Sequence, residues 1–342
     1  MPILVDRYPC ENVISDPNCE ITRHPALAGR PDALDIALVN NMPDAAMEAT
    51  VRQFLSLLAP AAQNVVVRLK LFSMPGIPAS PWRRQHLSAH YSDFHELWDT
   101  RLDGLIVTGT EPRASDLAAE PYWSEFANIV DWAETNTTAS VWSCLAAHAV
   151  VQHLDGVRRS PLEKKCFGLF DHSAMSDHWL LRGQPMRILA PHSRWNGISD
   201  AALASSGYRV LTKSAAGVDI FVKERRSLFL FFQGHPEYEA DTLAREYRRD
   251  VGRFLRGERD TYPAPPKHYF DTATLETLNA FRARAVAERR EDLMSTFPND
   301  AVFKAVPHTW HPQARRSYAN WLNYIVECKA AEARPPRRVG AV

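Results

Sequence analysis

Cys144 closes the apolar run ASVWSC and opens a stretch of small and apolar residues that meets neither glycine nor proline until Gly156. A strand followed directly by a helix presents its junction residue at the carboxyl edge of a sheet, where open α/β folds collect reactive groups. A cysteine there has two readings. It is either a small buried hydrophobe or a nucleophile whose thiolate is favoured by the positive end of the following helix. In the second reading Leu145 offers its backbone N–H to a developing oxyanion. Trp142, two positions earlier, is bulkier than the small residue usual before such a turn.

A thiol nucleophile needs a base. A second apolar run, SLFLFF, ends in QGHPEY, with His235 and Glu237 two residues apart. In extended chain those side chains share a face, so Glu237 can hold one imidazole nitrogen while the other faces a thiol. An isolated His-x-Glu is equally a solvated turn. Two separate strand ends, one with Cys and one with His-x-Glu, together favour catalysis.

The elements that must position these groups alternate. LDIALV, NVVVRLKLF, LDGLIV and ASVWS read as strands, and DAAMEATVRQFLSLLA and YWSEFANIVDWAETN as amphipathic helices, the first with Asp44 as its expected cap. This pattern predicts an α/β fold with a mostly parallel sheet flanked by helices. Four later runs (QPMRILAPHSR, GYRVLTKS, GVDIFVKE and SLFLFF) are closely spaced and predict a more antiparallel extension. A helix over ADTLAREYRRDVGRFLRG and two C-terminal helical stretches follow. The expected organisation is an N-terminal arm over 1–33, one α/β domain over 34–330 and a frayed tail over 331–342.

Composition narrows the partners. Lys+Arg and Asp+Glu each total 40 of 342 residues, which argues against a dedicated nucleic-acid binder. No signal-peptide pattern and no run approaching a membrane span is read, so no membrane partner is expected. Five cysteines without a CxxC pair predict reduced thiols in the cytoplasm. His172, His178 and His192 do not fall at a recognised ligand spacing, so no metal is expected.

Beyond these local readings, the chain from about 34 to 326 resembles the homoserine O-acyltransferases, O-succinyl and O-acetyl, which have a class I glutamine-amidotransferase-like (flavodoxin-like) fold. The markers are NNMP, FHELWDTRLDGLIVTG, PYWSEFANIVDWAETNTTAS, FGLFDH, PHSRW, GHPEYEADTLAREYRRDV and ANWLNYIV. The resemblance implies that Cys144 is acylated by acyl-CoA, that His235 is the general base and that Glu237 orients it. It implies substrate-binding roles for Lys165, Ser193 and Arg249, with the Arg249 fork suited to a carboxylate. It further implies a homodimer, no cofactor beyond the acyl-CoA co-substrate, and L-homoserine as acceptor in methionine biosynthesis. A second oxyanion N–H is expected from the TGTEP turn.

Two departures stand out. The family follows its cysteine with an aromatic and, four residues on, a glutamine; here those positions are Leu145 and His148. His148 is read as a packing residue or as a group that tunes the thiol. Arg113 occupies the position that is small in succinyl users and acidic in acetyl users. As a cation it is expected to pair with a succinyl carboxylate, or else to face solvent or a coenzyme A phosphate. The expected activity is succinyl transfer to homoserine. Acetyl transfer to homoserine or serine, and Cys-His-Glu hydrolysis or glutamine amidotransfer, are the alternatives.

Overall fold

The computed structural model describes residues 3–8, 21–22, 30–63, 65–304, 306 and 308–332. Its first half contains β1 (Ile3–Val5), β2 (Ile21–Thr22), β3 (Leu34–Val39), α1 (Asp44–Ala61), β4 (Val67–Phe72), α2 (Pro81–His90), β5 (Leu102–Val107), α3 (Trp123–Asn136), β6 (Thr137–Ser143) and α4 (Leu145–Asp155). The second half adds β7 (Ser160–Ala174), β8 (Arg187–Gly197), α5 (Asp200–Ser205), β9 (Arg209–Val210), β10 (Thr212–Ser214), β11 (Gly217–Val218), β12 (Ile220–Glu224) and β13 (Leu228–Phe232). Helices α6 (Thr242–Leu255), α7 (Thr272–Glu288), α8 (Asn299–Val302) and α9 (His311–Glu332) complete it.

The main sheet runs β2-β1-β4-β3-β5-β6-β13-β12-β9, and its pairings are parallel up to β13. Its inner strands β3, β5, β6 and β13 are buried on both faces, which is why they read as near-continuous apolar runs. Along β3 the residues alternate. Ile36 and Leu38 join a core with α1 and α9, whereas Ala37 and Val39 join one with α3 and α4. Each fully buried Leu or Phe contributes about 1.5–3 kcal/mol to this sandwich. No described helix is long and apolar enough to cross a membrane.

Three expectations about the elements need correcting. The late strands do not form one antiparallel extension: β7, β8, β10 and β11 form a separate antiparallel sheet. β12 and β13 do pair antiparallel, but in the main sheet, where β13 is also parallel to β6 with Phe232 opposite Ser143. The five buried residues of β13 need a layer on each face, which an edge position would not supply. Asp44 is not a cap. Pro43 precedes α1 without a side-chain cap, and the Asp44 carboxylate instead lies 3.4 Å from Arg83.

The first 33 residues are not wholly an arm, because β1 pairs with β4 and extends the sheet. The frayed tail expected over 331–342 falls outside the described residues beyond Glu332. A third core joins Phe167 and Leu169 of β7 to α6 and α7. There Gly168, at φ 136°, lies under the backbone of Lys267, and a Cβ would come within 2.3 Å of it. That close crossing explains the glycine of FGLFDH.

Candidate active site

A cavity of about 510 Å³ opens at the carboxyl edge of the main sheet, lined among others by Cys144, Leu145, His148, His235, Glu237 and Tyr238. Cys144 sits at φ 50°, ψ −108°, a left-handed turn between β6 and α4 that L-residues adopt only under strain. The turn is held on both sides. The Cys144 amide donates to Phe232 O at 2.7 Å, and α4 begins immediately after it. Trp142 is accommodated in the layer below, stacked on Phe229 with centroids 5.7 Å apart.

Because β13 pairs with β6, the chain leaving Phe232 brings His235 over the sulfur. The His235 amide donates to Pro191 O at 2.8 Å, and the Gly234 amide donates to Asp219 Oδ1 at 2.8 Å. Glu237 Oε1 lies 2.8 Å from His235 Nδ1, and Cys144 lies close enough for its charge to act on the imidazole. Tyr238 stacks on the other face of the ring, 4.2 Å between centroids. Burial pushes the His235 pKa down, yet the charges of Cys144 and Glu237 outweigh it and hold the imidazole well above its usual value. The three residues thus gather in one cavity, with His235 and Glu237 hydrogen-bonded to each other.

The TGTEP turn faces the nucleophile. A Cβ on Gly109 would stand 2.5 Å from Leu145 Cβ and 3.1 Å from Leu145 N, so only glycine lets this backbone approach the Leu145 amide. The NNMP residues brace that turn. Asn41 N donates to Thr108 Oγ1 at 2.8 Å and Asn41 Nδ2 to Thr108 O at 3.2 Å. Buried Arg83 donates to Met42 O at 2.7 Å and to Ser73 at 2.9 Å.

Lys165, Ser193 and Arg249 lie around two carboxylates not singled out above, Glu246 and Asp250. Glu246 accepts from the Ser193 and Tyr238 hydroxyls, the latter at 2.6 Å. Asp250 lies 3.4 Å from Lys165 Nζ and 3.2 Å from Arg249. Ser193, Glu246 and Arg249 line the cavity, whereas Lys165 packs outside its lining, over the Phe167 ring. Arg245 and Arg253 also line it, so this arginine stripe on α6 is not merely a solvated face. Both missed acids lie in EYRRD, where carboxylates among arginines resemble ordinary surface ion pairs.

His148 is fully buried. Gln233 donates its amide to Val218 O, so its oxygen accepts from His148 Nε2 at 2.9 Å, leaving Nδ1 without a partner. Burial pushes its pKa down to about 3, and this imidazole stays neutral. Arg113 is exposed and absent from the cavity lining; its amide donates to Glu120 at 2.6 Å. Arg159, likewise overlooked in the sequence, does line the cavity.

His172 and His192 meet Asp219 beneath the base, with donor atoms within 4.8 Å of one another, while His178 caps a separate turn. Arg194 donates to His192 Nδ1 at 3.3 Å, which puts the imidazole proton on Nε2, towards Asp219. A guanidinium on one nitrogen and a proton on the other oppose a cation there.

A solved glutamine amidotransferase structure from Methylobacillus flagellatus matches 91% of this chain and 99% of its own, with TM-score 0.50 and 13% identity, and shares the fold. Homoserine O-succinyltransferase of Rhodopseudomonas palustris is 47% identical over 301 residues, covering 88% of this chain and 90% of that protein. The enzyme of the same name from Methylorubrum extorquens is 46% identical, covering 88% and 89%. The family model described as homoserine O-succinyltransferase matches residues 2–331, and this chain, an acyltransferase, belongs to that family.

Proposed function

We propose that the protein moves a succinyl group from succinyl-CoA to the hydroxyl of L-homoserine through a thioester on Cys144, in methionine biosynthesis. The observation that carries this is the strained Cys144 turn in an arginine-lined cavity it shares with His235, whose imidazole is hydrogen-bonded to Glu237.

The thiolate attacks the thioester carbonyl, and the oxyanion is met by the Leu145 N–H and an N–H of the Gly109–Thr110 turn. Collapse expels coenzyme A thiolate, which takes the proton of the His235 imidazolium. Neutral His235 then accepts the homoserine hydroxyl proton as that oxygen attacks the acyl-enzyme. A second collapse restores thiolate and imidazolium. Acylation removes the Cys144 charge that holds the His235 proton, while burial still disfavours the charged ring. The base is thereby released at the step that needs it.

Homoserine is assigned to the α6 end of the cavity, its carboxylate on Arg249 and its ammonium towards Glu246. The reaction uses these side chains and the donor alone, without a resident cofactor. A cytoplasmic homodimer completes the reading, supported by the family resemblance and by a thiol that must stay reduced.

The test is intact-protein mass spectrometry with succinyl-CoA, followed by thiol release with homoserine or serine. A succinyl adduct that is lost in Cys144→Ala and discharged by homoserine supports the reading. Absence of an adduct in folded protein, or turnover without acceptor, overturns it.

A further inference from the structure

Arg159 is the cavity cation without a carboxylate of its own. Among the described residues it forms no ion pair, and its Nε is buried without a hydrogen-bond partner. Its Nη2 reaches only the carbonyls of Ala114 and Ser115, at 3.4 and 3.5 Å. The other arginines lining the cavity are engaged. Arg194 spends its nitrogens on His192, Asn196 and Ala216. Arg245, Arg249 and Arg253 each face an acid, namely Asp241, Asp250 and Glu111.

Position adds to this. Arg159 shares the cavity lining with Cys144; the charges of Glu120, Cys144 and Asp116 all act on it, though neither acid reaches ion-pair distance. It also touches the loop after the TGTEP turn, the segment in which Arg113 was expected to select the acyl group. Glu120 Oε1 holds that loop through the amides of Arg113 and Ala114, both at 2.6 Å. The loop therefore turns the Arg113 side chain outward, while Arg159 lines the cavity.

We infer that Arg159 pairs with the free carboxylate of the succinyl group while that group is held on Cys144, and so selects succinyl over acetyl. The inference rests on the proposed thioester. A half-buried guanidinium with an unmade hydrogen bond gains most from a planar anion that can accept two. An acetyl group carries no such anion and leaves the cation unpaired. The succinyl carboxylate lies three carbon–carbon bonds from the thioester carbon, so the site must be beside the nucleophile. A coenzyme A phosphate is the rival anion.

The experiment compares kcat/KM for succinyl and acetyl donors in wild type, Arg159→Met, Arg159→Lys and Arg113→Gly, with the acetyl rate as internal reference in each protein. Donors are the coenzyme A thioesters and the corresponding N-acetylcysteamine thioesters, which lack phosphate. Arg159→Met is expected to lower the succinyl-to-acetyl ratio about 10- to 100-fold with both donor types, and Arg159→Lys to restore part of it. The inference is overturned if the ratio is unmoved, if both acyl groups fall together, if Arg113→Gly collapses the ratio instead, or if the effect disappears without phosphates. A wild type that forms no Cys144 adduct with either donor overturns the thioester reading itself, a distinct result from an adduct that Arg159→Met leaves unselective.

Discussion

The Cys144 amide donates to the Phe232 carbonyl at 2.7 Å, so the strand carrying the nucleophile and the strand carrying its base end at one level. The distance between Cys144 and His235 is thus set by sheet register rather than by loop packing. A slip of one residue would turn the side chains of β13 to the opposite face.

His235 should report that arrangement directly. Its raised pKa means that the imidazolium, and the stability it lends, is fully present below the usual 6.5 and is lost only as pH rises through the higher folded value. Cys144→Ala removes the largest upward influence and leaves burial, so the ring should titrate at lower pH than in wild type. Imidazole ¹⁵N NMR of the two proteins checks this; an unshifted titration refutes it.

Gly109→Ala should fold and fail to turn over. Its methyl group would displace the TGTEP turn from Leu145, and losing one oxyanion donor costs about 10²–10³ in kcat. Circular dichroism and steady-state kinetics separate the two effects.

Glu246→Gln should weaken the acceptor side alone. With the carboxylate between Ser193, Tyr238 and Arg249 neutralised, KM for homoserine should rise about tenfold, and the rate of Cys144 acylation should move little. A rise in the donor KM instead would remove Glu246 from the acceptor subsite.

Acid lability should trace partly to His148. Its folded pKa of about 3 lies below the unfolded value, so stability falls as pH drops below 6.5, where only the unfolded chain takes the proton. Each such histidine contributes about 1.4 kcal/mol per pH unit. His148→Gln should therefore lose about 2 kcal/mol less than wild type between pH 7 and pH 5, measured by urea unfolding.

The meeting of Cys144, His235 and Glu237 in one cavity was legible because each stands just past an apolar run, a signal that needs no knowledge of tertiary structure. Its partners were not. Glu246 and Asp250 look like surface acids until α6 is turned towards β8, and Arg159 follows a polar turn with nothing local to mark it. β13 was half legible: closely spaced runs suggest the antiparallel hairpin it forms with β12, whereas its parallel partner, β6, lies far earlier in the sequence. NNMP could be seen as a marker, but its role in bracing the Thr108 turn required coordinates.

Trp321, Leu322 and Ile325 of α9 complete the core beneath β3 and β6, and Trp321 lies so close over β5 that a methyl group at Gly104 would come within 2.9 Å of it. These side chains follow every strand of the main sheet in the sequence, so they emerge after the whole sheet during synthesis. The sheet that shapes the thiol turn is left with an uncovered greasy underside until translation has passed them. A chain truncated before Trp321 would leave the face beneath β3, β5 and β6, and so the support of the thiol turn, incomplete.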